Sequence, residues 1–236
     1  MRTSQPMGDP FLDDVIEWDV SNWSVALDFW RQTSELPTMH VSALEIGSRH
    51  GGLSLWLAAQ GASVVCTDVN GPTEEARRKH ERHGVAGNVR YGSLDALAIP
   101  YRSEFDVVTF KSVLGAVGWR ERRERRRDAM HQIHDALRPG GELWFAENIA
   151  GSPLHGFARR HFVPWGKSWR YPRIDEMLEF ASMFSTVKYR TVGVLGAFGR
   201  TGRQRALLGR LDQAICDRLV PESWRYIMVG VAKKSA

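Results

Sequence analysis

The sequence predicts an α/β protein, a mostly parallel sheet with helices on both faces. Three observations carry that reading. Short apolar runs alternate with longer amphipathic stretches between Val41 and Glu147. A glycine-rich turn follows the first run directly, and Arg138-Pro139-Gly140-Gly141 closes the last helical stretch before another apolar run. Alternation of this kind builds crossover units around a parallel sheet, and such sheets bind ligands outside the carboxyl ends of their strands, where the strand order reverses.

Taken in order, Phe11 to Glu35 reads as one or two helices, with Trp18, Trp23, Leu27 and Trp30 at roughly helical spacing and Ser21 or Asn22 as N-cap. Because it precedes the first strand, this segment (residues 1–40) is expected to lie across the main domain as a flap. Strands are predicted at Val41 to Ile46, Ala62 to Thr67, Phe105 to Phe110 and Glu142 to Ala146, with a short one just before Tyr91. Helices are predicted at Gly52 to Gln60, Glu74 to His83 and Arg123 to Leu137. Proline cannot continue the last of these and glycine accepts the left-handed turn that ends it. A cap rich in aromatic, His and Arg residues covers 149–175, with Trp165, Trp169 and Tyr171 close together. A helix from about Asp175 to Phe184, a strand from Thr186 to Leu195, a basic helix from Thr201 to Leu219 and a strand from Arg225 to Ala232 complete one domain over 1–236, its cofactor core at 41–148.

Composition narrows the class. Of 236 residues 43% are apolar and 25% charged, which excludes disorder and fibrous repeats. Two cysteines, Cys66 and Cys216, argue against a disulfide framework, and no Cys/His spacing suits a metal. Apolar stretches fall short of the ~20 residues a membrane helix needs, so a cytoplasmic location without membrane insertion is expected. The net charge is +5, but Arg120 to Arg127 alone holds six Arg and two Glu, so the rest is nearly neutral. One such block reads as a solvated helix face with pairs such as Glu121 to Arg125 rather than a nucleic-acid site.

The chemistry concentrates at strand ends. Glu45-Ile46-Gly47-Ser48-Arg49-His50-Gly51-Gly52 is a turn that lets a ligand approach the main chain, with a helix starting at Gly51 or Gly52. The second strand ends at Asp68, 23 residues after Glu45, where an acid can accept bonds from two ribose hydroxyls. A third acid, Asp95, stands in Tyr91-Gly92-Ser93-Leu94-Asp95-Ala96-Leu97. A nicotinamide dinucleotide is the rival ligand, but phosphate would not favour Glu45 so near, whereas an ammonium and a sulfonium would.

These pieces together resemble the class I S-adenosylmethionine-dependent methyltransferases, from about Val41 to Glu147 and again at the terminal strands. The resemblance implies a Rossmann-like sheet of seven mostly parallel strands, S-adenosylmethionine as cofactor and S-adenosylhomocysteine as product. It implies that Glu45, Gly47, Ser48 and Gly51 hold the methionine end, that Asp68 binds ribose, that Asp95 meets the adenine amino group, and that Val69 and Leu94 sandwich the adenine. Lys111, after the fourth strand, is placed with the cofactor residues, and its charge equally suits an anionic substrate group or a nearby acid. The chain departs from the family at Arg49, where a further glycine is usual. The phrases around Gly51 to Ala58, Phe110 to Gly115 and Phe145 to Asn148 are similar to a bacterial subset associated with polysaccharide or natural-product biosynthesis.

For the acceptor, the expectation is a small molecule methylated on oxygen: a sugar, a glycan precursor or a natural product. An RNA methyltransferase and a non-catalytic cofactor-binding module are the alternatives. His155 is the candidate general base and Glu147 a second catalytic candidate that more often orients a partner. Trp23, Ser112, Asn148, Trp169 and Arg170 are candidate substrate contacts, with Arg159 and Arg160 as further forks for phosphate or carboxylate.

Overall fold

A computed structural model describes residues 9–37, 39–117, 123–163 and 169–236. Its centre is a seven-stranded sheet in the order β3-β2-β1-β4-β5-β7-β6. The strands are β1 Ser42–Ile46, β2 Ser63–Asp68, β3 Val89–Ser93, β4 Phe105–Lys111, β5 Leu137–Asn148, β6 Thr186–Val192 and β7 Ile227–Lys233. Only β7 runs against its neighbours β5 and β6. The order turns back on itself between β1 and β4, so the crevice for a ligand opens above those two strands.

Successive side chains on each strand point to opposite faces, which splits the apolar residues into two cores. Ala43, Val64, Val107, Trp144 and Val229 face one layer, with helices α1 Pro10–Ile16, α2 Val20–Trp23, α3 Val25–Thr33 and α4 Gly52–Ala58. Leu44, Val65, Val108, Phe145 and Met228 face the other. Helix α5 (Glu74–Arg82) packs beside α4; α6 (Leu114–Val117), α7 (Arg123–Ala136) and α9 (Ile174–Phe180) cover the second face, and α8 (Pro153–Phe162) and α10 (Gly202–Leu211) complete the set. The first core holds three tryptophans with ring centroids 5.9–6.2 Å apart, Trp30, Trp56 and Trp144. Trp30 donates to the Gly230 carbonyl at 3.1 Å and Trp144 to Glu142 at 2.8 Å, so two of the three are buried with their polar edges used, while the Trp56 N–H has no partner among the described residues.

The opening segment packs on the first face through α3 and reaches the strand ends through Ile16, Glu17 and Trp18. Lys79 of α5 holds it down, donating to the Asp14 carbonyl at 2.6 Å and to Glu17 at 2.8 Å. Gly52 permits the close approach, since a Cβ there would stand 2.0 Å from the Val15 carbonyl oxygen. The N-cap expectation is corrected: Asp19 precedes α2 and Ser24 precedes α3. Asn22 is instead inside, its amide shared between Asp19 at 3.0 Å and Asp212 at 2.9 Å, a partner no local pattern reveals.

The arginine run is also corrected. Residues 118–122, including the Glu121 of the expected pair, lie outside the described residues. Arg126 is fully buried, its Nε donating to the Leu114 carbonyl at 2.9 Å, because it shares the inward stripe of α7 with Ala129, Met130 and Ile133. Arg123 and Arg127 both pair with Glu179.

Candidate functional site

Above the carboxyl ends of the strands lies one cavity of about 1090 Å³, reached by the β1–α4 turn, the ends of β2, β4 and β5, the segment after β3, the opening helices and α8. Its two ends differ in chemistry. At the first end the turn after β1 is left-handed at Gly47 (φ +66°), Arg49 (φ +46°) and Gly51 (φ +68°). A Cβ on Gly47 would strike Val113 at 2.6 Å, so glycine is required there for space as well as for φ. Arg49, where a further glycine was expected, accepts the left-handed conformation and donates its backbone N–H to Asp68 at 2.9 Å, fastening the turn to β2.

That bond occupies one oxygen of Asp68 and leaves the other for a ligand. Asp95 uses Oδ1 to receive the Leu97 N–H at 2.9 Å and is otherwise exposed on the cavity wall. Val69 is 60% exposed and Leu94 buried, both lining the same end. The Ser48 hydroxyl is buried with no partner among the described residues, an orphan that a bound polar group would satisfy.

Glu45 is buried beneath the turn. Ser54 donates to its Oε2 from both backbone (2.8 Å) and hydroxyl (2.5 Å), leaving Oε1 unclaimed by Ser54. Burial pushes its pKa up, against those two donors and the Lys111 charge. Lys111 does not pair directly with an acid: its Nζ donates to the carbonyl of Ile16, the last residue of α1, at 2.6 Å. Burial brings its pKa down to about 8, opposed by Glu17 and Glu45. The residue expected among the cofactor contacts thus also ties the opening segment over them.

The second end is aromatic. Trp18, Trp23, Trp169, Tyr171, Phe198 and Tyr226 line it, with Ser112 and Asn148 at its floor and the cation Arg159 on its wall; Arg125 also lines the cavity. Ser112 is left-handed (φ +59°) and accepts from Asn148 Nδ2 at 2.7 Å. Trp23 and Trp169 each bury an indole N–H with no partner among the described residues. Trp165 lies outside the described residues.

Three sequence-predicted residues are placed differently from their expected roles. Glu147 is fully buried and does not line the cavity; it accepts the N–H groups of Val113 and Leu114, both at 2.8 Å, and of Asn148 at 3.1 Å. It anchors the loop after β4, and burial pushes its pKa up to about 7 against those three donors. His155 lines the cavity but spends both ring nitrogens. Ser152 donates to Nδ1 from its N–H (3.1 Å) and lies 2.8 Å away with its hydroxyl, while Nε2 lies 2.8 Å from the Val194 carbonyl. Burial brings its pKa down to about 4, so the ring is a neutral strut rather than a base with a free nitrogen. Arg170 is off the wall, pairing with Glu176 at 2.9 Å six residues on. The fork that reaches the cavity is Arg159, whose Nη1 donates to the Ile149 and Ala150 carbonyls at 2.8 Å and whose guanidinium carbon stacks 3.6 Å over Tyr171. Arg160 is exposed on α8. Sequence reading missed Phe198 and Tyr226 altogether, and only the cap's density of rings pointed toward an aromatic acceptor end.

Comparison with known proteins agrees with this geometry. Residues 44–145 match the family model described as a methyltransferase domain. Over 104 residues the chain is 31% identical to a ubiquinone biosynthesis O-methyltransferase of Azotobacter vinelandii, covering 44% of this chain and 42% of that one. A ubiquinone/menaquinone biosynthesis C-methyltransferase of the same organism is 32% identical over 109 residues, covering 44% and 41%. The matches therefore span less than half of these curated relatives. Among solved structures, Haemonchus contortus phosphoethanolamine N-methyltransferase 2 in complex with S-adenosyl-L-methionine aligns with TM-score 0.63 at 15% identity, over 91% of this chain and 53% of that one. The [4+2]-cyclase SpnF aligns with TM-score 0.62 at 19% identity, over 92% and 81%. The match to a methyltransferase domain model thus covers β1 to β5, the strands whose ends form the acidic end of the cavity, and the solved structures share the fold.

Proposed function

We propose that the protein transfers a methyl group from S-adenosylmethionine to a small-molecule acceptor held at the aromatic end of the cavity. The observation that carries this is the division of one cavity into an acidic end and an aromatic end. The acidic end fits the cofactor. Glu45 and the Gly47–Gly51 turn would receive the methionine ammonium, Asp68 the ribose hydroxyls, Asp95 the adenine amino group, and Val69 with Leu94 the adenine faces; the orphaned Ser48 hydroxyl adds a polar contact. When bound, the cofactor supplies a methyl group on a sulfonium, which is displaced in line and leaves a thioether.

The residues of the chain contribute position and exclusion of water. Lys111 closes the opening segment over the acidic end through the Ile16 carbonyl. Glu147 fixes the backbone from Ser112 to Leu114, where the acceptor enters, and Asn148 and Ser112 present polar atoms beside it. His155 sets the wall, clasped between Phe198 and Tyr226.

Within the small-molecule class, six aromatic rings favour a natural-product-like acceptor with a flat apolar body over a sugar or glycan precursor. Oxygen and carbon are both named among the curated relatives as atoms methylated. The RNA reading loses support, because Arg126 is buried and Arg123 and Arg127 are spent on Glu179. The test is two-stage. Calorimetry should show S-adenosylhomocysteine binding. Incubation with methyl-labelled cofactor and a small-molecule extract of the producing organism should yield a product heavier by one methyl group. Absence of S-adenosylhomocysteine binding sinks the reading.

A further inference from the structure

The cavity's acids, Glu17, Glu45, Asp68 and Asp95, lie toward the cofactor end together with Lys111 and Arg49, and Glu17 is paired with Lys79. The cation packed among the acceptor-end rings is Arg159. Arg159 is largely withdrawn from water yet has no acid partner there. Its neighbours are two carbonyls and the rings of Tyr171 and Tyr226. Of the acids behind those rings, Glu147 gives its oxygens to three backbone N–H groups, and Asp19 receives Tyr226 and Asn22. A partly desolvated guanidinium with no counter-charge is costly to keep. Here it is also braced: the two carbonyls hold Nη1 and the Tyr171 face holds the plane, while Nε and Nη2 have no partner among the described residues.

We propose that the acceptor is an anion, a flat and largely apolar molecule whose carboxylate or phenolate oxygen is received by Arg159. A planar fork with one edge fixed suits a planar oxygen anion, which would meet the edge left without a partner among the described residues. Where the anionic oxygen is itself the atom methylated, it carries no proton to remove, which fits the spent nitrogens of His155. It deepens the methyltransferase reading and rests on it for the word acceptor, while the charge preference is a binding property measured apart from turnover.

The experiment is calorimetry of the whole protein, with and without saturating S-adenosylhomocysteine, using 2-naphthoate and its neutral isostere 2-naphthamide as probes. At low ionic strength the carboxylate is expected to bind at least tenfold more tightly than the amide. Arg159→Gln should bring the two probes to within about twofold, and Arg159→Lys should keep part of the preference while losing the fork. Equal affinities in the unaltered protein, no measurable naphthoate binding, or a preference that survives Arg159→Gln would each overturn the proposal. Should Arg159→Gln fail to give a cooperative thermal transition, the unaltered protein and Arg159→Lys decide. A protein that prefers naphthoate but ignores S-adenosylhomocysteine refutes the methyltransferase reading alone; one that binds S-adenosylhomocysteine but treats the probes alike refutes the anion alone.

Discussion

The two ends of the cavity are built on different principles. The acidic end is made of residues that directly end or follow strands: Glu45 and the turn after β1, Asp68 at the end of β2, Leu94 and Asp95 just beyond β3. Each is placed by its own strand, and the parallel register lines them up. The aromatic end is assembled from segments far apart in the chain, Trp18 and Trp23, Trp169 and Tyr171, Phe198, and Tyr226; of these, Tyr226 stands at the start of β7 and the others are delivered by packing. Shape at the acidic end follows from backbone conformation, and shape at the aromatic end follows from side-chain contacts. Substitutions should therefore act differently at the two ends, locally and on affinity at the first, through stability and shape at the second.

The largest expected effect is at Glu147. Glu147→Ala leaves three buried N–H groups without an acceptor and should cost about 3–5 kcal/mol of stability, read as a lowered denaturant midpoint. A change under about 1 kcal/mol would remove its anchoring role. Next is acid sensitivity. The His155 pKa is brought from 6.5 down to about 4 by burial, so the unfolded chain takes up a proton before the folded one does. Its contribution is complete above about pH 6.5, shrinks as pH falls through that window, and is gone below about pH 4, a loss on the order of 3 kcal/mol. His155→Gln keeps a group that can accept from Ser152 and should flatten this part of the acid-unfolding curve; an unchanged slope would mean the ring does not stay neutral.

At the acidic end, Asp68→Ala should weaken S-adenosylhomocysteine about a hundredfold, ~2.7 kcal/mol, while the thermal transition moves little. Calorimetry with intact affinity would take Asp68 out of the site. Asp95→Ala should cost least, about fivefold, since one amino group is at stake. If Asp95→Ala instead proves the more damaging of the two, the assignment of ribose and adenine along the strand ends is reversed.

How much could be read beforehand follows the same division. The glycine turn, Asp68 and Asp95 were legible because strand, turn and acid sit within a few residues of one another. The aromatic end was legible only as composition. Nothing local distinguishes Arg159 from Arg170; what separates them is Glu176, which captures Arg170. His155 looked like a base because a histidine's chemistry is visible in sequence, whereas the Val194 carbonyl that occupies it lies 39 residues away. Arg126 was more accessible to reasoning: its spacing to Ala129, Met130 and Ile133 follows the buried stripe of α7, and the density of charge around it hid that phase.

Beyond its ties to α4, Lys79 and Lys111, the opening segment is fastened to residues far along the chain. Asn22 reaches Asp212 across 190 residues, Trp30 reaches the Gly230 carbonyl across 200, and Asp19 and Glu35 meet Tyr226 and Lys233. On the ribosome, a chain that has emerged only through β5 already holds every strand that carries the glycine turn and the two acids beyond it. Its first helices have met α4, Lys79 and Lys111 but still lack Asp212, Tyr226 and Gly230, and β5 still presents an open edge to the place β7 will take. The acidic end can take shape during translation, and the lid and aromatic end only after β7 has docked, which makes the last strand the step that turns an open shelf into a chamber.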